Sequence, residues 1–222
     1  MQRELAALQA GQQAILRELN VIETRLAGQQ PTPGEIRIST EGSSSIGNKA
    51  ARIAIVEFSD FQCPYCAGSF NHTYPVLYSD YVKSGRVVCY FHDFPLGSIH
   101  PEAAKAAEAA HCADEQGKFE EMHDRLFSHQ QELGPRFLPG HAKALGLDQA
   151  QFGACLDGGK YAAQVTRNLE AGQRLGVKGT PSFFVGSYDP VTSTVSVSTQ
   201  LNGAQPFSAF KTVLDGLLGP GR

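Results

Sequence analysis

Apolar and near-apolar residues recur through the first 28 positions at Leu5, Leu8, Gln12, Ile15, Leu19, Ile22 and Leu26, alternately three and four apart. That spacing is a heptad seam and predicts a helix. A helix of this length spans about 42 Å and has no second apolar face, so it gains the missing burial by pairing with copies of itself. Residues 1–28 therefore read as a coiled-coil oligomerisation helix. Leucine at a with isoleucine at d favours a trimer or tetramer, and Gln12 at an a position fixes register. The alternative is a helix packed on its own domain. Residues 29–50 are rich in Gly, Pro and Ser and read as a linker in which only EIRIST resembles a short strand.

A β-rich run, ARIAIVEFS (51–59), then ends at a CPYC turn, where Pro64 suits the first position of a helix running toward Lys83. RVVCYFHDF (86–94) is a second buried strand. From 101 to about 174 the patterning is helical, broken around LGPRFLPG and LDGGK. FFVGS and the alternating VTSTVSVST supply two more strands, and PFSAFKTVLDGLL closes as an amphipathic helix. The order β-α-β, helical block, β-β-α is that of an α/β domain over 51–220.

At 222 residues, 41% apolar, 18% charged and a net charge of -3, this is the composition of a globular domain with appendages. It lacks the basic excess on which nucleic-acid binding draws. No stretch approaches the roughly 18 unbroken apolar residues of a membrane span. The opening MQRELAALQAGQQ lacks the apolar core of a signal peptide, which leaves a cytosolic protein or one whose targeting segment is absent from this sequence.

Five cysteines, Cys63, Cys66, Cys89, Cys112 and Cys155, are too few for a disulfide-dense scaffold. A structural zinc site needs a second CxxC or a His pair at metal spacing, and neither is present. A thiol-redox pair needs the first thiol at a helix N-terminus, where unpaired N–H groups and the helix dipole favour the thiolate, and the second one turn inside. The strand-to-helix junction at CPYC supplies that arrangement. Cys63 is then the attacking thiolate and Cys66 the resolving thiol, with Pro64 and Tyr65 facing the substrate.

Three stretches, VEFSDFQCPYC, VKGTPSFFV and the helical block opened by DFPL and HPEAAKAAEAAHCADEQGKFEEMHDRLF, resemble the thioredoxin superfamily in its DsbA-like branch. The likeness covers roughly residues 50–218. It implies a thioredoxin fold with a helical insertion at about 100–174, and a buried proton-transfer acid at Glu57. It also implies a cis proline at Pro181, where Thr180 pairs main chain to main chain with substrate. Burial within an apolar strand would raise the Glu57 pKa toward a value useful for proton transfer. Without the likeness, Glu57 reads as a solvated or paired edge acid and Pro181 as a trans proline opening a strand.

Cys112 and Cys155, in two separate helical segments, are candidates for a structural disulfide; the alternative is two buried thiols. Cys89 reads as a core thiol. The seven histidines show no convergent spacing and read as caps, surface or packing groups, with His100, just before Pro101, in a local structural role.

The leading function is a protein disulfide oxidoreductase or isomerase that needs no cofactor beyond its redox-active disulfide. Its partners are cysteine-bearing protein substrates, a redox protein that resets the pair, and copies of itself. Cysteine usage and the resemblance imply a periplasmic or extracellular location. The stalk implies disulfide shuffling, by likeness to trimeric DsbA-like proteins. Two other readings are a thiolate copper(I)-binding module and a glutaredoxin-like reductase.

Overall fold

A computed structural model describes residues 36–219 together with residues 11–13, 15, 17 and 18. These last residues are helical, and Ile15 is 60% exposed in the single chain. The rest of the coiled-coil reading over 1–28, and the oligomer it implies, lies outside the described residues.

The apolar run before CPYC becomes β3 (Ile53–Ser59), the hub of the sheet. It pairs in parallel with β4 (Val87–Asp93) and antiparallel with β5 (Ser182–Asp189), which in turn pairs antiparallel with β6 (Thr194–Asn202). A strand covered on both sides needs apolar residues on both. Ile53 and Ile55 join the core that also holds Cys66, while Ala54, Val56 and Phe58 join a second core on the opposite face.

Of the described part of the segment read as a linker, EIRIST forms the short strand expected of it, and a second strand follows that the reading lacked. β1 (Arg37–Ser39) adds to β6 and β2 (Ser44–Gly47) adds to β4, both antiparallel. Among the described residues the sheet order is therefore β1-β6-β5-β3-β4-β2, with the EIRIST strand at one edge and the unexpected β2 at the other. An edge strand buries one face only, so β2 shows a single apolar residue at its buried positions, Ile46 beside the buried Ser44.

After CPYC, α1 (Pro64–His72) leads into α2 (Tyr74–Leu77) and a π-turn at Tyr78–Val82. Between β4 and β5 lies the helical insertion: α3 (Ala103–Asp114), α4 (Phe119–Ser128), α5 (Leu138–Ala144), α6 (Gln149–Asp157) and α7 (Ala162–Arg174). The closing helix, α8 (Phe207–Leu218), packs Phe210 and Leu214 into the core shared with Cys66. Cys112 of α3 is bridged to Cys155 of α6, closing a loop of 43 residues within the insertion. α7 lies flat on the other side of the sheet at Gly172, where a Cβ would stand 2.5 Å from a Phe94 ring carbon and 2.9 Å from one of Phe58.

A buried polar cluster ties the insertion to the sheet. Asp93 accepts from His111 Nε2 at 2.8 Å and from Asn168 Nδ2 at 2.8 Å, joining β4 to α3 and α7. Ser44 of β2 meets His111 Nδ1 at 3.2 Å and donates to Asp114 at 2.7 Å. Burial opposes both charges, but their attraction outweighs it, so Asp93 is held below the ordinary carboxylate value and His111 above that of a free imidazole. His111 is thus an ionic anchor between layers.

Candidate active site

Cys63 is the residue that caps α1, with extended backbone and Pro64 at the first helical position. The N–H that Pro64 lacks would have been an orphan in any case, while the N–H groups of Tyr65 and Cys66 remain aimed at the Cys63 sulfur. Cys63 and Cys66 are both unbridged thiols, 3% and 1% exposed.

The Thr180–Pro181 bond is cis, and the Cys63 thiol donates to the Thr180 carbonyl at 3.4 Å. The fold thus brings together five of the residues singled out by sequence, Cys63, Cys66, Glu57, Thr180 and Pro181. Pro64 and Tyr65 lie beside them on the surface, and Tyr65 is 69% exposed. The Cys112–Cys155 bridge stands apart in the insertion.

The two thiols are pushed in opposite directions. Cys63 is lowered to about 5, chiefly by the hydrogen bond from Cys66, against burial, and with help from Thr180 and the Cys66 and Tyr65 N–H groups. A shift in that direction favours the thiolate over the thiol that donates to Thr180. The Thr180 hydroxyl is buried without a hydrogen-bond partner and lies close enough to Cys63 to favour its thiolate. Cys66 is held well above the ordinary thiol value by burial first, then by its bond to Cys63 and the neighbouring Glu57 charge. Glu57 is raised to about 7 by burial, which outweighs a hydrogen bond from Ser59. Part of Glu57 lines a cavity of about 20 Å³ shared with Cys89, Tyr74 and His123, room for about one water molecule.

Several residues that hold this site are not evident from sequence. Asp60, buried, accepts from the Gln62 N–H at 2.8 Å, the Leu96 N–H at 2.8 Å and His100 Nδ1 at 2.7 Å. His100 thereby fixes the loop that carries Cys63. From the insertion, Gln130 donates to the carbonyls of Phe61 at 2.7 Å and Cys63 at 3.0 Å. Gln62, Glu102, Gln130 and Arg136 line an open groove of about 540 Å³ alongside. No sequence signal links Gln130 to Cys63, because they lie 67 residues apart. Ser59 donates to Glu57 Oε1 at 2.8 Å, and its place two residues on, on the same strand face, is a signal that strand parity could have supplied.

A family model described as Thioredoxin matches residues 39–197. Among solved structures, alpha-DsbA1 of Wolbachia pipientis is similar with a TM-score of 0.68 and 21% identity, over 81% of this chain and 96% of that one. BdbD of Bacillus subtilis gives 0.69 and 21%, over 82% and 96%. A thioredoxin-like oxidoreductase of Silicibacter pomeroyi gives 0.65 and 24%, over 78% and 91%. At these identities the likeness is one of fold. Among curated proteins, the Na(+)/H(+) antiporter NhaA 1 of Salinispora arenicola is 36% identical over 165 residues, 72% of this chain and 25% of that protein. NhaA 3 of Salinispora tropica is 42% identical over 139 residues, 63% of this chain and 21% of that protein. The chain spans about a quarter of the length of these relatives.

Proposed function

The chain belongs to the thioredoxin family, and from that premise we propose that it exchanges thiols and disulfides with protein substrates through Cys63 and Cys66. One observation carries the reading. A first thiol acidified to about 5 at a helix N-terminus stands beside a second held as a thiol, with the Thr180 main chain alongside.

In the oxidising direction, a substrate thiolate attacks the Cys63 sulfur of the Cys63–Cys66 disulfide. The S–S bond breaks, and Cys66 leaves as a thiolate that takes a proton from Glu57. A second substrate thiolate then attacks the substrate sulfur of the mixed disulfide and releases the Cys63 thiolate. The substrate gives up two electrons and gains a disulfide; the cysteine pair takes up both electrons. Because the released Cys63 thiolate is well stabilised, the reduced state is favoured and the pair acts as an oxidant.

The exposed Pro64 and Tyr65 and the main chain at Thr180 form the substrate face. Contacts to backbone rather than side chains suit many different proteins. A second redox protein restores the disulfide, and the setting is the oxidising side of a membrane. Residues 1–28 assemble several such sites into a trimer or tetramer, which adds isomerisation to oxidation.

Reactivation of scrambled ribonuclease and oxidative refolding of reduced ribonuclease, by the full chain and by a chain lacking residues 1–28, with the solution mass of each, test this assignment. An oligomer that reshuffles bridges, beside a truncated monomer that only oxidises, is the expected result. Two monomers with equal activity would remove the oligomer and the isomerase from the account, and no activity in either would remove the oxidoreductase.

A further inference from the structure

The odd-numbered positions of β3 face the layer that holds α1: Ile53 and Ile55 share a core with Cys66 and Ala67. Glu57 and Ser59 continue the same face by strand parity, which puts both beneath the second cysteine. The Ser59 hydroxyl donates to Glu57 Oε1 at 2.8 Å. On that shared face the hydroxyl also lies close enough to Cys66 to favour its thiolate. Ser59 is only half-buried, at the C-terminal end of the strand next to the CPYC loop.

The carboxyl and the thiol that must trade a proton thus share one strand face with a hydroxyl already bonded to the carboxyl. A serine hydroxyl carries one donor and two acceptor lone pairs, so it can take a proton on one side while releasing its own on the other. No other side chain is recorded as hydrogen-bonding the Glu57 carboxyl among the described residues.

We propose that Ser59 is the positioning and relay residue between Glu57 and Cys66, an inference that rests on the oxidoreductase reading above. When Cys66 is to attack a mixed disulfide at Cys63, its S–H bond breaks and the proton goes to the Ser59 oxygen as the Ser59 proton passes to the Glu57 carboxylate. The hydroxyl then points back at the new thiolate. In the oxidising direction the same transfer runs in reverse, from Glu57 to the departing Cys66 thiolate. Protons move between oxygen and sulfur, and no electrons are exchanged in this step.

Removing the hydroxyl should act on Glu57 and Cys66 while leaving Cys63 as it is. In Ser59→Ala, the Glu57 titration, followed by the carboxyl carbon resonance, is expected to move upward from about 7 by roughly one pH unit, because a donor to the carboxylate is lost. Release of glutathione from a Cys63–glutathione mixed disulfide at pH 7 is expected to slow by roughly tenfold or more. Ser59→Thr keeps the hydroxyl and is expected to restore both. Ser59→Gly serves as a second deletion should the alanine variant fold poorly.

The alkylation midpoint of Cys63 should stay near about 5 in all three variants, whereas a general distortion of the loop would shift it. A Glu57 midpoint and a release rate unmoved in Ser59→Ala, or a threonine variant as slow as alanine, would overturn the relay. A wild-type chain that releases no glutathione at all would instead overturn the oxidoreductase reading.

Discussion

Cys63→Ser is expected to lose disulfide exchange by on the order of 10³-fold or more, because a serine hydroxyl supplies almost no anion at neutral pH and is not a sulfur partner for a mixed disulfide. Cys66, Thr180 and the backbone N–H groups of Cys66 and Tyr65 together lower the Cys63 pKa to about 5 against the opposing effect of burial. Cys66 variants should fail differently. With Cys66→Ala the attack at Cys63 survives, but nothing resolves the product, so covalent complexes with substrate accumulate and are visible on a non-reducing gel. The same change removes the largest contributor to the acidity of Cys63, and the Cys63 alkylation midpoint should move up from about 5. Equal residual activity in Cys63→Ser and wild type would show that the chemistry lies elsewhere.

Loss of the insertion's own bridge is the second large effect. Cys112→Ala/Cys155→Ala opens a loop of 43 residues, and the chain-entropy relation assigns such a loop about 4 kcal/mol. For a domain of this size that lowers the unfolding temperature by roughly 10 °C. Both cysteines are almost wholly buried, so truncation also leaves small voids that add to the loss. The bridge lies outside the CPYC site, and the alkylation midpoint of Cys63 in the folded double variant should remain near about 5. Calorimetry of the double variant against wild type checks the first point. A change of less than about 1 kcal/mol would mean that α3 and α6 are held by packing alone.

The catalytic frame was legible because its signals are local. An apolar run, a CxxC and a proline at the first helical position specify a strand-turn-helix without reference to the rest of the chain. The TP loop added the facing wall. Elements that depend on distant partners were not legible. β2 carries serines, glycine and one isoleucine, and it becomes a strand because β4 offers a free edge, with Ser44 drawn into the His111 and Asp114 cluster. Polar edge strands of this kind have little pattern of their own.

Spacing gives His111 no role beyond cap, surface or packing group, yet it forms an ion pair with Asp93, 18 residues away, on a different element. Gln130 is a similar case, since only the folded insertion brings it to the Cys63 carbonyl. The Asp60 and His100 contact spans 40 residues and was anticipated only as an unspecified local role for the histidine.

On the proposed function, the Cys63 thiolate is stabilised enough to make the Cys63–Cys66 disulfide oxidising. Equilibrating the full chain with defined ratios of reduced and oxidised glutathione, and reading the fraction of disulfide by thiol labelling, measures this directly. The expected reduction potential is closer to about -120 mV than to about -270 mV. A value near or below about -270 mV would mean that the reduced pair gains no such stabilisation, and that the chain is built to reduce disulfides rather than to make them.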